Sequence, residues 1–325
     1  SLTKQYMGFE VSKLTQKNID LLLNENTFTI TTGHQLNLFT GPLYFLYKII
    51  SVINLSEQLN KKYTKQHFVP VYWMASEDHD FNEINFFNLF GKKIYWDRES
   101  GGALGDLNTH GLDELLKTLK SKITESENSK KLIDLFSNSY LKHDNLSDAT
   151  RYLANQLFAE YGLVIVDGNH RVLKDEFAPF VQKELIEKKS VTIINQTTDR
   201  LEAIDYKKQV HPREINLFYI TKGVRERIIE EQGIYKINNT TLFFNKDEIL
   251  VELKKFPERF SPNALLRPLY QEVLLPNLCY VGGGGELAYW FQLKDYFKSV
   301  EVTFPILLLR NSVLLVPQKV SNKLE

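Results

Sequence analysis

Two dense apolar runs with an amphipathic segment between them dominate the stretch from residue 27 to residue 80. Residues 27–32 (TFTITT) are β-branched and aromatic and read as a strand, with Gly33, His34 and Gln35 breaking the pattern after it. Gly41-Pro42 is a helix-start signal, and Leu43, Leu46, Tyr47, Ile50 and Ile53 recur at helical spacing on one face. A second apolar run, residues 67–74 (HFVPVYWM), ends at Glu77, Asp78, His79 and Asp80. As a βαβ unit with a right-handed crossover the two strands are parallel, so 33–35 and 77–80 share one carboxyl edge, where open α/β sheets bind ligands.

Beyond this unit, residues 92–96 suggest another strand after a short helix or turn at 81–90, and residues 112–140 form a polar, lysine-rich helical stretch read as a solvated insertion. Ser147 or Asp148 is the expected cap of a helix to Tyr161, and residues 162–167 (GLVIVD) are a short buried strand that puts Asp167 near the same cleft. Helices are expected at 174–188 and 195–209. The period then changes. Runs at 217–221, 224–229, 234–237 and 241–244, separated by Gly223, Gly233 and Asn238-Asn239, predict a β-meander, and Asn245 with Glu248 forms a capping box for a brief helix. Cys279 to Val281 reads as a strand, Gly282 to Gly285 as a flexible turn opening a helix at Glu286, and residues 304–309 close the sheet. The whole is one α/β domain over 1–325, with a helical insertion at about 100–145 and a β-rich insertion at about 211–260.

Composition adds mainly exclusions. At 325 residues, 43% apolar and 25% charged, the chain resembles an ordinary globular protein, and forty basic residues balance forty acidic ones. That balance gives no argument for nucleic acid or an anionic membrane as partner. The lone Cys279 rules out an internal disulfide framework and a multi-cysteine zinc site, and it fits a reducing, cytoplasmic setting. In its apolar run Cys279 reads as inert packing, and Trp73, Trp96 and Trp290 read as core.

The candidate chemistry lies in two clusters. Glu77, Asp78, His79 and Asp80 are suited to binding Mg²⁺, holding a substrate ammonium group, or acting as acid and base; the structural alternative is that Asp80 caps the next helix and the others are solvated. His34 either binds a phosphate oxygen or satisfies a tight turn. Arg267, with Tyr270, Gln271 and Glu272 close by, forms a recognition wall for a carboxylate or sugar, unless Arg267 and Glu272 are a buried structural pair. The glycines preceding Glu286 expose backbone N–H groups suited to an anion, although neither nucleotide-binding glycine fingerprint is present.

The stretches TTGHQLNLFTGPLYFLYKII, PVYWMASEDHDFNEIN and SPNALLRPLYQEVLLPNLCYVGGGGELAYW, in this order, strongly resemble the bacillithiol-biosynthesis cysteine-adding enzyme (BshC) family. The resemblance implies a Rossmann-like core related to class I aminoacyl-tRNA synthetases and other nucleotidyltransferases, and a role in joining cysteine to glucosaminyl malate. ATP is the expected activator of the cysteine carboxylate, by analogy through an adenylate, with Mg²⁺ as a further candidate. Gly33, His34, Gln35 and Gly41 are then expected near the phosphates, and Asp78, His79 and Asp80 around the amine or Mg²⁺, with Asn82 beside them. Arg267, Tyr270, Gln271 and Glu272 would orient the polar substrate, and Gly283, Gly284, Gly285 and Glu286 would border the ligand. The family accepts glutamine where His34 stands, which weakens any acid-base role for that imidazole. The resemblance also implies homodimerisation of the full-length protein through a C-terminal coiled coil; that element and the family's N-terminal segment are expected to be absent from residues 1–325. The competing expectation is a non-catalytic sugar- or nucleotide-binding module that needs a partner.

Overall fold

The computed structural model describes residues 2–324. Its strands are β1 (Thr27–His34), β2 (His67–Met74), β3 (Phe86–Leu89), β4 (Lys92–Tyr95), β5 (Val164–Asp167) and β6 (Leu217–Thr221). They continue as β7 (Val224–Glu231), β8 (Ile234–Ile237), β9 (Phe243–Asn245), β10 (Phe260–Pro262), β11 (Asn277–Gly282) and β12 (Ile306–Leu309). A five-stranded parallel sheet, ordered β12-β11-β1-β2-β5, forms the centre. Strand order reverses between β1 and β11, which makes the carboxyl edge there the crevice of a doubly wound sheet. A second, antiparallel sheet, ordered β10-β6-β7-β8-β9, is the expected meander with one added strand.

The unit from β1 to β2 forms as the apolar runs predict, with two corrections. Strand β1 does not break at Gly33: Gly33 and His34 still pair with Trp73 and Met74. The crossover helix starts at Tyr44, and its buried face is Phe45, Lys48, Ile49, Val52, Ile53 and Ser56, of which only Ile53 belongs to the expected stripe. Of the expected face, Leu43 and Ile50 are 43% and 38% exposed. The true stripe keeps strict helical spacing but contains a lysine and a serine, which a count of apolar residues passes over.

Other differences have equally local causes. Phe86 to Leu89 is a strand, joined to β4 through Phe90 and Gly91, both with positive φ (50° and 76°), the geometry of a two-residue hairpin turn. The stretch 112–140 is two helices, Leu112–Lys122 and Glu127–Tyr140, and it is not merely solvated: Leu112, Leu115, Leu116, Leu119, Phe136 and Tyr140 are buried. The Tyr140 hydroxyl accepts a hydrogen bond from the Phe39 N–H at 2.8 Å, which ties this pair of helices to the loop after β1. Asn145, not Ser147 or Asp148, caps the next helix by accepting from the Asp148 N–H at 2.8 Å. The paired helices that follow run Arg171–Glu187 and Lys189–Glu202. The Asn245 and Glu248 capping box is present with both bonds made, at 2.9 and 2.8 Å.

Strands β1 and β11 do not pair evenly. Thr29 lies opposite Asn277 and Ile30 opposite Cys279, so one residue of β11 is accommodated as a bulge. Trp73, Trp96 and Trp290 are core residues, and Cys279 is buried, with its thiol pushed up to about 11 by burial and by the neighbouring Glu272. Among the described residues no helix is long and apolar enough to cross a membrane.

Candidate functional site

A cleft of about 770 Å³ opens at the carboxyl edge of β1 and β2, with the crossover helix, the start of the helix Leu266–Leu274 and the helix Gly284–Phe291 as its walls. Gly33, His34, Gln35, Glu77, Asp78, His79, Arg267 and Glu286 line it, so the two sequence clusters meet although they are nearly 200 residues apart. The backbone closes this edge directly, because the Ala75 N–H donates to the His34 carbonyl at 2.9 Å.

Within the cluster after β2 the carboxylates have divided roles. Glu77 is buried and accepts a hydrogen bond from the ammonium of Lys174, itself 1% exposed, which makes Glu77 half of an internal ion pair. Asp78 accepts from Gln35 Nε2 at 2.6 Å and from the His79 N–H at 2.7 Å. Burial opposes its ionisation, yet the bonds from His79 and Gln35 and the charge of Arg225 outweigh that and hold its carboxyl well below the usual carboxylate range. The His79 ring faces Arg225, whose Nη1 lies 2.7 Å from Nδ1. Arginine has no acceptor, so Nδ1 accepts and the ring proton sits on Nε2. Asp80 is exposed and its side chain makes no capping bond; it and the exposed Asn82 lie outside the cleft lining. Asp167 does not reach the cleft either, being held by the Ser76 hydroxyl and the Asn169 N–H.

His34 is enclosed between Tyr44 and Phe45, at ring separations of 5.5 and 5.2 Å. Burial, with Lys48 as the next contributor, lowers its imidazole to about 3, so it stays neutral, and its Nε2 is buried without a partner. Gly41 is a structural glycine with φ of 57°, and a Cβ there would meet the Asn37 side chain at 2.5 Å. Gly33 keeps a passage open: a Cβ would sit 3.1 Å from the Tyr280 hydroxyl and 3.3 Å from Arg267 Nη1.

Across the crevice, Asn263 starts the helix Leu266–Leu274 by accepting from the Leu265 and Leu266 N–H groups, which sets Arg267 on its first turn at the cleft. The guanidinium lies 5.7 Å from the Tyr280 ring and 6.0 Å from the Trp290 ring, and its Nη2 is buried without a partner. Tyr270, Gln271 and Glu272 do not join it at the surface. The Tyr270 hydroxyl donates to the Gly168 carbonyl at 2.7 Å in the core, Gln271 is fully buried, and Glu272 bonds to Gln271 and Asn277 rather than to Arg267. Burial pushes the Glu272 carboxyl up to about 8. Of the final cluster, Glu286 lines the cleft, while Gly283, Gly284 and Gly285 do not. Glu286 accepts from the Gly283 N–H at 3.0 Å, so its own carboxylate occupies part of the helix terminus offered to an anion.

Several cleft residues had no sequence signal. Lys48 contacts Glu286 and the Gly33 carbonyl. Arg225, on β7, bonds to Ser261 as well as His79. His211 and Arg213 arrive on an irregular segment whose Gln209 and Val210 N–H groups are held by Gln292. Lys48 pairs with Glu286 and Lys174 with Glu77, while Arg225 bonds to His79 and Ser261 and Arg267 to Gln271, so neither guanidinium is hydrogen-bonded to a carboxylate. Among the described residues no group of three or more His, Cys, Asp or Glu is placed to hold a metal ion.

The family described as bacillithiol biosynthesis BshC, N-terminal Rossmann-like domain, matches residues 1–311. A relative from Flavobacterium johnsoniae, named "Putative cysteine ligase BshC", is 57% identical over 323 residues, covering 99% of this chain and 61% of the relative. One of the same name from Bacillus cereus is 29% identical over 327 residues, covering 97% of this chain and 60% of the relative. The chain thus spans about three fifths of the length of the curated relatives it matches. A solved Campylobacter jejuni structure described as a "putative arginyl t-RNA synthetase" aligns over 93% of this chain and 60% of its own, at 10% identity and a TM-score of 0.31, too loose a match to carry weight. The match over residues 1–311 and the identity to these relatives carry the outcome, and the parallel sheet fits it: the chain belongs to the bacillithiol biosynthesis BshC family, of which it carries the N-terminal Rossmann-like domain.

Proposed function

We propose that this chain forms the catalytic core of a ligase that joins the cysteine carboxylate to the amine of glucosaminyl malate, the last step of bacillithiol biosynthesis, in a full-length protein that acts as a homodimer. The observation that carries the reading is the cleft at the strand-order reversal, where Arg225 and Arg267 lack carboxylate partners and Arg267 Nη2 and His34 Nε2 are buried with unused hydrogen-bonding capacity. Such a donor set suits anionic ligands, and both the malate carboxylates and the phosphates of ATP are of that kind. ATP would supply the activation that a carboxylate needs before it condenses with an amine in water. Arg267 and Gly33 would border the phosphates, Arg225 and Arg213 the malate group, and the ionised Asp78 would hold the ammonium form of the amine before its deprotonation.

The test is to incubate the full-length protein with ATP, cysteine and glucosaminyl malate, and to follow thiol product by mass spectrometry and nucleotide turnover by chromatography. Folded protein that gives neither product nor turnover overturns the ligase reading. One observation favours a non-catalytic module instead: Glu77 is neutralised by Lys174 and His34 is held neutral, which leaves few groups free for proton transfer. Tight calorimetric binding of ATP or glucosaminyl malate with no ATP consumed, all substrates present, is the result expected of that module.

A further inference from the structure

Arg267 stands at one end of a continuous buried hydrogen-bond chain. Its Nη1 donates to Gln271 Oε1 at 3.0 Å, Gln271 Nε2 donates to Glu272 Oε1 at 2.7 Å, and Asn277 Nδ2 donates to the same Glu272 oxygen at 2.9 Å. The Asn277 carbonyl oxygen accepts in turn from the hydroxyls of Thr29 and Thr31, at 3.0 and 2.9 Å. Every amide in this chain therefore has a determined orientation. Arg267, which can only donate, fixes the carbonyl end of Gln271 toward itself, so Gln271 and Asn277 both turn their N–H groups to Glu272 and the Asn277 side-chain oxygen is left to the Thr29 and Thr31 hydroxyls.

That orientation decides what Arg267 can do. A primary amide presents an acceptor at one end and a donor at the other, and with no acceptor at position 272 the Gln271 amide keeps its bond to the guanidinium but loses the anchor at its other end. An unanchored Gln271 is free to change rotamer and to carry the Arg267 guanidinium off its present line beside Gly33. We infer that Gln271 and Glu272 are positioning residues for Arg267, holding the guanidinium so that its unpartnered Nη2 serves an anionic group in the cleft. This rests on the reading of the cleft as an anion site. It assigns to two buried polar residues, neither of which reaches the cleft, a role in ligand affinity. The high Glu272 carboxyl is compatible with it, since Oε1 accepts in either protonation state while Oε2 carries the proton.

Calorimetric titration of the full-length protein with ATP and, separately, with glucosaminyl malate tests the inference at pH 7. Arg267→Ala identifies the probe that Arg267 serves. Glu272→Met and Gln271→Met, which keep side-chain volume and remove the acceptor, are expected to weaken that same probe by about tenfold, the equivalent of about 1.4 kcal/mol, and to leave the other unchanged. Glu272→Gln retains an acceptor oxygen and is expected to bind within about twofold of wild type. A purely structural role would lower the melting temperature of the Met variants without singling out one probe. Should Glu272→Met fail to fold, Gln271→Met alone decides. If folded Met variants bind both probes as wild type does while Arg267→Ala does not, or if Glu272→Gln is as weak as Glu272→Met, the positioning role is wrong and the anion site stands. If Arg267→Ala itself binds both probes normally, the anion site at Arg267 falls, and the positioning role with it.

Discussion

The Lys48 ammonium lies 2.8 Å from the Glu286 carboxylate, joining the crossover helix between β1 and β2 to the helix that leaves β11. Lys48 is 3% exposed and also donates to the Gly33 carbonyl, so one side chain braces the end of β1 and both walls of the crevice. Burial lowers the lysine's pKa, and the Glu286 charge works against that loss. Removing one partner leaves the other charge buried, and Lys48→Met is expected to cost about 3 kcal/mol in urea unfolding. Pairing it with Glu286→Leu should restore part of that loss, because two apolar groups leave no charge stranded. A double variant less stable than the sum of the two single losses would show that the pair does not behave as a unit.

Asp78 and Asp80 should respond differently to the same change. Asp78→Asn removes the charge held by Gln35, His79 and Arg225, and is expected to lower activity of the full-length protein at least about tenfold with little effect on melting temperature. Asp80→Asn alters an exposed side chain outside the cleft, and its activity should match wild type. Equal losses in both variants would place the reacting amine near Asp80 instead.

His34 gives a pH test with a definite sign. Its imidazole titrates near 3 in the folded protein and near 6.5 when exposed, so on acidification the unfolded chain takes up a proton that the folded chain refuses. Stability attributable to His34 is therefore full above pH 6.5 and falls as pH drops from there toward 3. Replacement by glutamine abolishes this contribution. Melting temperatures recorded between pH 7 and pH 4 should decline less steeply for His34→Gln than for wild type, and parallel declines would mean that His34 is not the buried neutral group described.

Gly284 and Gly33 separate two uses of glycine. A Cβ on Gly284 meets nothing within 4 Å, and alanine is favoured over glycine in a helix by up to about 1 kcal/mol, so Gly284→Ala should hold or raise the melting temperature. Weaker ATP binding in that variant would then report a ligand lying against the helix terminus. Gly33→Ala presses on Tyr280 and Arg267, and its expected signature is weakened binding of the probe that Arg267 serves.

Legibility in the sequence followed how local the signal was. The β1 to β2 unit, the meander and the Asn245 box are set by side-chain period, glycine spacing and one capping pair, all contained in short windows. The hairpin of β3 and β4 was also within reach, since Phe90-Gly91 sits between two four-residue stretches, FFNL and KKIY, that carry aromatic and β-branched residues. Lys48 escaped because its charge disguises a buried stripe. Arg225 escaped because its partner His79 lies 146 residues away, and nothing in an alternating strand marks one arginine as facing a cleft. Gln271 and Glu272 were placed at the surface for the opposite reason: polar residues near an arginine suggest a binding face, and only tertiary packing turns that helix side inward.

The bulge between β1 and β11 sets a limit on what lengths of chain this fold accepts. Residue 278 is the one taken up between Asn277 and Cys279, so dropping it would straighten the strand and restore even pairing while Cys279 stays opposite Ile30 and Tyr280 opposite Thr31. Loss of one residue here is expected to be tolerated better than loss of one elsewhere in β1 or β11, where no spare residue exists to absorb it, so homologues are expected to differ in length at this point by at most one residue.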